Sequence, residues 1–239
     1  MTHPAAWLGG CKVLLLSPHP DDIAYSIGGL VALAKGVAEL SMLTVFPRSA
    51  WALPADLRSQ GPDAISPVRA AEDRTFGARH GMAYHALDFG DSSCHGYDED
   101  GEMAADPADD PRAERVCDAL HARVRALSPD LVLAPASIGG HVDHRIVTEA
   151  ARRLDGVGVA FYEDLPYAAW QMLGAIERSL TGAGLSPFAL IDIAKVIDEK
   201  IAGMWVYETQ TSAGTVSEML LHAARLGGGG LRYAERIWL

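Results

Sequence analysis

The chain has 239 residues, 49% hydrophobic and 21% charged, and its 31 Asp and Glu against 20 Lys and Arg give a formal charge of −11. That composition fits a globular protein with a full core, expected as one domain over 1–239, and the acidic balance argues against nucleic acid or an anionic membrane as partner. No apolar stretch approaches the roughly 20 residues that span a bilayer, and the start lacks the pattern of a signal peptide, so a cytoplasmic location is expected.

Lys12 to Leu16 is a short continuous apolar run of the kind buried on both faces of a parallel sheet, and it predicts the first core strand. The loop Ser17-Pro18-His19-Pro20-Asp21-Asp22 follows. Asp22 to Lys35 then predicts a helix ended by Gly36. Met42 to Phe46 reads as a strand, Trp51 to Ser66 as a loop, and Pro67 to Arg79 as a helix with Gly81 just beyond it. Tyr84 to Phe89 is the next strand. Gly90 to Pro111, rich in Asp and Glu and poor in apolar residues, reads as a mobile acidic surface loop able to cover a site. Arg112 to Leu127 predicts a helix and Leu131 to Ala134 a strand, and Val142 to Leu154 predicts a helix opening at Gly140-His141-Val142-Asp143-His144. Later strands are expected at 157–162, 188–193 and 231–237, with helices between them. Strands alternating with helices predict an α/β fold, a Rossmann-like, mostly parallel sheet with helices on both faces. In such sheets ligands sit at the carboxyl ends of the strands, where both motifs fall.

His19 and Asp22 are three residues apart across a loop-to-helix junction, which brings their side chains to one side. His144 completes a set of two imidazoles and one carboxylate, a known catalytic zinc arrangement that leaves a position for water, although another divalent metal would suit the same donors. Asp21 is the candidate general base. His141, one turn from His144, is the candidate to face the developing oxyanion, and Asp143 the candidate to orient one of the histidines. Either motif alone matches an ordinary helix N-cap; their joint occurrence, each after a buried-type strand, is what favours a metal site. Cys11, Cys94 and Cys117 are scattered and indicate neither a disulfide framework nor a thiolate site.

These residues resemble the LmbE-like, or PIG-L, zinc-dependent N-deacetylases of N-acetylglucosamine conjugates. The resemblance is carried by Pro18-His19-Pro20-Asp21-Asp22 and His141-Val142-Asp143-His144, with weaker similarity at Arg69 to Glu72, Asp88 to Asp91, Tyr162 to Tyr167 and Lys200 to Gln210. It implies zinc on His19, Asp22 and His144, Asp21 as base, His141 stabilising the tetrahedral intermediate, and a Rossmann-like fold. By analogy Arg69 and Asp91 contact substrate, although Arg69 equally suits an ion pair with Glu72 or Asp73. The family usually places Glu after the Asp pair, whereas this chain has Ile23, which replaces no inferred ligand.

The leading expectation is a metal-dependent amidohydrolase that removes an N-acyl group, most simply acetyl, from a small amino sugar or glycoconjugate. Two alternatives stand beside it: a non-haem iron oxygenase, because two His and one carboxylate also form that facial triad, and a catalytically silent metal-containing binding protein. Tyr25, Trp51, Trp170 and Trp205 are candidate pocket aromatics. A homo-oligomer is left open.

Overall fold

The computed structural model describes residues 3–239. Its strands are β1 (Lys12–Ser17), β2 (Glu39–Thr44), β3 (Ala83–Ala86), β4 (Leu131–Pro135), β5 (Gly158–Tyr162), β6 (Pro187–Asp192) and β7 (Ala234–Trp238). Its helices are α1 (Asp22–Ala34), α2 (Ala55–Arg58), α3 (Pro62–His80), α4 (Glu99–Ala104), α5 (Ala113–Leu127), α6 (Val142–Arg152), α7 (Leu173–Gly182), α8 (Ile197–Met204) and α9 (Ala213–Leu226).

All seven strands form one sheet in the order β3-β2-β1-β4-β5-β7-β6. The first five are parallel, and β7 runs antiparallel to both β5 and β6. β1 is central, so Val13 to Ser17 are buried without a break, which explains why it reads as a continuous apolar run rather than an alternating one. Truncating Leu14 or Leu16 to Ala there would cost about 2–5 kcal/mol.

The chain leaves β1 toward β2 and leaves β4 toward β5, so the strand order reverses between β1 and β4. Right-handed crossovers then place α1 and α6 on opposite faces. α1 packs with α8 and α3, and α6 with α5. At such a reversal the loops after the two strands diverge and open a crevice. The loops that follow β1 and β4 are the two motifs.

Several boundaries differ from expectation. β2 begins at Glu39 rather than Met42, and α3 begins at Pro62, which takes the first-turn position assigned to Pro67. The largest difference is 90–111. This segment holds a 3-10 turn (Ser92–His95), α4 and a second 3-10 turn (Pro107–Asp109). Asp91, Asp98 and Asp106 each cap one of these pieces through the side chain, so some of the acidic residues of this segment start helical turns, Asp98 and Asp106 while still exposed to solvent. No helix among the described residues is long and apolar enough to cross a membrane.

Candidate metal centre and catalytic cleft

The β1 loop is built tightly. The Ser17 hydroxyl donates to the His19 carbonyl at 2.6 Å, and the His19 N–H donates to Asp22 Oδ2 at 2.7 Å. Asp21, at the N-cap of α1, has φ +105°, a conformation costly for a residue with a Cβ and typical of positions held by function.

One ring nitrogen from each of His19, His141 and His144 lies within 4.8 Å of the others, bringing together two segments more than a hundred residues apart. Asp22 sits among them: its Oδ2 is 3.5 Å from His19 Nδ1 and its Oδ1 is 3.5 Å from His144 Nε2. Each of these imidazoles is held from behind by a buried carboxylate. His19 Nε2 is 3.0 Å from Asp143 Oδ2, and His144 Nδ1 is 2.7 Å from Asp164 Oδ1. Each ring turns one N–H to the carboxylate behind it, which aims His19 Nδ1 and His144 Nε2 at Asp22, where a cation that displaces a proton would find a lone pair. His144 Nε2 is buried with no hydrogen-bond partner. A buried polar atom without a partner is costly, and a cation is the group that would satisfy it.

His141 differs. Its Nδ1 accepts the Asp143 N–H at 3.2 Å, so its proton sits on Nε2, 3.4 Å from Glu102 Oε2. Both nitrogens are engaged, and burial pushes this imidazole below its usual range despite the Glu102 carboxylate.

The electrostatics of His19 and Asp22 point the same way. Burial opposes a charge on His19, but the carboxylates of Asp143 and Asp22 outweigh it and raise the imidazole well above its usual range. Burial likewise disfavours ionised Asp22, yet His144 and His19 hold its carboxyl below the ordinary value. Two imidazoles among Asp22, Asp143 and Asp164 make an electronegative nest, which is the donor chemistry a divalent cation requires.

Asp21 is buried, and burial pushes its carboxyl well above the usual range although Arg69 opposes this. Arg69 Nη2 lies 3.7 Å from Asp21 Oδ2 and donates to the Pro20 carbonyl at 3.0 Å, and Nη1 lies 3.9 Å from Asp91 Oδ2. Arg69 therefore pairs across the cleft rather than along its own helix. Glu72 instead accepts the Thr209 N–H at 2.8 Å, and Asp73 accepts the hydroxyls of Thr44 and Tyr207.

These groups line a cleft of about 740 Å³ that His19, Asp21, Asp22, Arg69, Asp91 and His141 share. Tyr25, Trp51 and Trp170 line it as expected, whereas Trp205 lies elsewhere on the surface. Segment 90–111 lines one part of it through Ser92, Tyr97, Asp98, Glu102 and Met103, and Leu165, Pro166 and Tyr167 line another. Asp164, Glu102 and Arg112 were missing from the sequence-based set. Arg112 joins Asp110 Oδ2 at 2.6 Å to Asp143 Oδ1 at 2.7 Å and donates to the Gly90 carbonyl at 2.9 Å, tying segment 90–111 to the carboxylate behind His19. The available signal for Asp164 was its place just after β5, the strand beside β4.

The family model described as GlcNAc-PI de-N-acetylase, PIG-L, matches residues 14–154, which include both motifs. A 2′-N-acetylparomamine deacetylase from Streptomyces fradiae is 41% identical over 248 residues, covering 95% of this chain and 89% of that protein. Among solved structures, a deacetylase of the teicoplanin biosynthesis pathway, crystallised as a bog complex, aligns with a TM-score of 0.75 at 25% identity over 95% of this chain and 96% of its own. The zinc-inhibited form of the teicoplanin deacetylase Orf2 aligns with a TM-score of 0.71 at 24% identity over 95% and 97%, a likeness of fold. With more than half of its length matched by the family model and a relative at 41% identity over nearly all of it, the chain belongs to the PIG-L family of de-N-acetylases, hydrolases of an amide bond.

Proposed function

We propose that the protein is a zinc-dependent deacetylase of N-acetylated amino sugars, with His19 Nδ1, Asp22 and His144 Nε2 as the metal ligands. The observation that carries this reading is the orphaned Nε2 of His144, buried and aimed at Asp22 Oδ1 from 3.5 Å. His141 is left out of the ligand set because its Nδ1 accepts the Asp143 N–H and its Nε2 faces Glu102 rather than Asp22. Zinc at this position would polarise the amide carbonyl and acidify the attacking water.

The protein's own groups supply the remaining steps. Asp21, at the cleft surface beside these donors, accepts the proton of the attacking water and returns it to the amine as the C–N bond breaks, so that acetate and a free amine leave. The His141 Nε2–H donates to the former carbonyl oxygen as it gains charge. Arg69 holds Asp21 and Asp91 at the rim, where substrate hydroxyls or amines would meet them. Trp51, Tyr97, Tyr167 and Trp170 offer faces for a sugar ring, and the cleft has the volume of a small-glycoconjugate site.

The substrate class follows from the same wall. Asp91, Asp98 and Glu102 add carboxylates to the cleft lining, where Arg69 supplies a guanidinium, and this balance suits a substrate carrying further ammonium groups. The Streptomyces fradiae relative is named for 2′-N-acetylparomamine. The α/β sheet and the family membership weigh against the oxygenase reading of the same donors, and the retained Asp21 and His141 weigh against a silent binder.

The test is acetate release by zinc-loaded protein from a panel of N-acetylated amino sugars that includes 2′-N-acetylparomamine, with Asp21→Asn alongside. Turnover by the wild type and a loss of about 10²–10⁴-fold in Asp21→Asn with zinc retained is the expected result. Wild-type turnover in Asp21→Asn would remove the base assignment, and no acetate from any amino sugar would remove the substrate class.

A further inference from the structure

Helix α1, which begins with Asp22 and follows Asp21, is broken one and a half turns in: Ile27 has φ −130° and ψ 24°. In an unbroken helix the Gly29 N–H would donate to the Tyr25 carbonyl and the Leu30 N–H to Ser26. Here Gly29 N–H donates to Glu235 Oε1 at 2.9 Å and Leu30 N–H to Glu235 Oε2 at 2.7 Å. The Tyr25 carbonyl accepts from Lys200 Nζ at 2.6 Å, with the Ala24 carbonyl at 3.5 Å from the same atom. Lys200 Nζ and Glu235 Oε1 are themselves 2.7 Å apart, and both side chains are buried. An ion pair from α8 and β7 is thus inserted into the hydrogen-bond ladder of α1, its anion serving the amides freed by the break and its cation the carbonyls.

The surroundings are fitted to this arrangement. A Cβ at Gly29 would lie 2.7 Å from Ile193 and 3.0 Å from Glu235 Oε1, so a side chain there would clash with Ile193 and crowd the carboxylate where it meets the backbone. On the cleft side of the break, Ser26 Oγ accepts the Leu165 N–H at 3.1 Å and the Tyr25 hydroxyl is 2.8 Å from Thr211 Oγ1. The first turns of α1 are therefore a separate unit that carries Asp21, Asp22 and Tyr25 and ties down the Leu165 wall.

We infer that Lys200 and Glu235 are a positioning pair, a charged splint that fixes the angle of the first turns of α1 and through them the placement of Asp21 and Asp22. Neither side chain lines the cleft, so the pair acts only through α1. A buried ion pair is often replaceable without loss of stability, which separates a splint from a stabilising contact.

The decisive variant is Lys200→Met with Glu235→Gln, which leaves no lone buried charge and keeps an acceptor for one freed amide. The expected result is a folded protein by far-UV circular dichroism, kcat down at least ten-fold with KM within three-fold, and an altered visible spectrum of the cobalt(II)-substituted enzyme. Wild-type kcat and cobalt spectrum in the folded double variant overturn the inference. In the intact wild type, the Gly29 and Leu30 amides are expected to exchange with solvent as slowly as Leu14 and Leu15 of β1; rapid exchange also overturns it and decides the matter if the double variant does not fold. The kinetic and cobalt measurements rest on the metal reading above, whereas amide exchange does not, so protected amides in a protein that releases no acetate would mark failure of that reading alone.

Discussion

Asp164 holds the His144 ring through Nδ1 at 2.7 Å while its other oxygen accepts the Ile138 N–H at 2.9 Å, so one carboxylate fixes both the tautomer of the imidazole and the loop after β4. Carboxylates behind metal-binding imidazoles are commonly worth 10–100-fold in metal affinity. Asp164→Ala is therefore expected to weaken zinc binding by about that factor in chelator competition; unchanged affinity would mean the ring is oriented by packing alone. His80 tests a different liability. Both of its nitrogens are buried without partners, and burial, with the positive charges of Arg79 and Lys35, pushes the imidazole down to about 4 from the usual 6.5. Between those values the unfolded chain binds a proton that the native state refuses, so stability is lost as pH falls from about 6.5 toward about 4. His80→Leu, which needs no partner, is expected to gain more in Tm over wild type at pH 5 than at pH 7.5. An equal difference at the two pH values would clear His80 of that role. At this scale the legible residues were those whose partners are local: His19 with Asp22, and His141 with His144, announce themselves by spacing. Asp164 and Glu102 make their contacts with His144 and His141 across 20 and 39 residues, and no local pattern records that.

The two motif loops were legible at the level of elements because each follows a continuously apolar strand, and a strand buried on both faces has no polar side to disguise it. The helical pieces within 90–111 are not legible, for the opposite reason. They are too short to show a helical period, and some of the segment's carboxylates act as caps, so composition alone resembles a solvated loop. What holds the segment in place is Arg112, which donates to Asp110 and Gly90, pairs with Asp143, and lies 5.2 Å from the centre of the Phe46 ring. Removing one partner from such a buried network leaves the others uncompensated, a loss of about 3–5 kcal/mol. Arg112→Met is expected to lower stability by that order and to open 97–110 to limited proteolysis before the rest of the chain. A variant that melts lower but is cleaved no sooner at 97–110 would show that Arg112 supports the core and not this wall.

For the whole molecule, the order β3-β2-β1-β4-β5-β7-β6 turns two local sequence motifs into one site, because the reversal between β1 and β4 is the place where loops from adjacent strands part. Alternating elements made that parallel half readable from sequence. The antiparallel β7 was not foreseeable in the same way: its direction depends on packing after α9, not on anything in Ala234 to Trp238 themselves. The charge of −11 acts at this scale as well. With Asp91, Asp98 and Glu102 among the cleft lining, a polycationic acetylated amino sugar would approach down a favourable potential, whereas a neutral one such as N-acetylglucosamine would feel none. Raising ionic strength from about 10 to about 150 mM shortens the screening length from about 30 to about 8 Å, less than the width of the protein. The value of kcat/KM for the cationic substrate is therefore expected to fall several-fold over that range while the value for the neutral one stays nearly constant, and Asp98→Asn is expected to narrow the gap between them. If both substrates show the same salt dependence, the acidic mouth does not select for charge, and the choice of substrate must lie deeper, with the aromatic walls and Arg69.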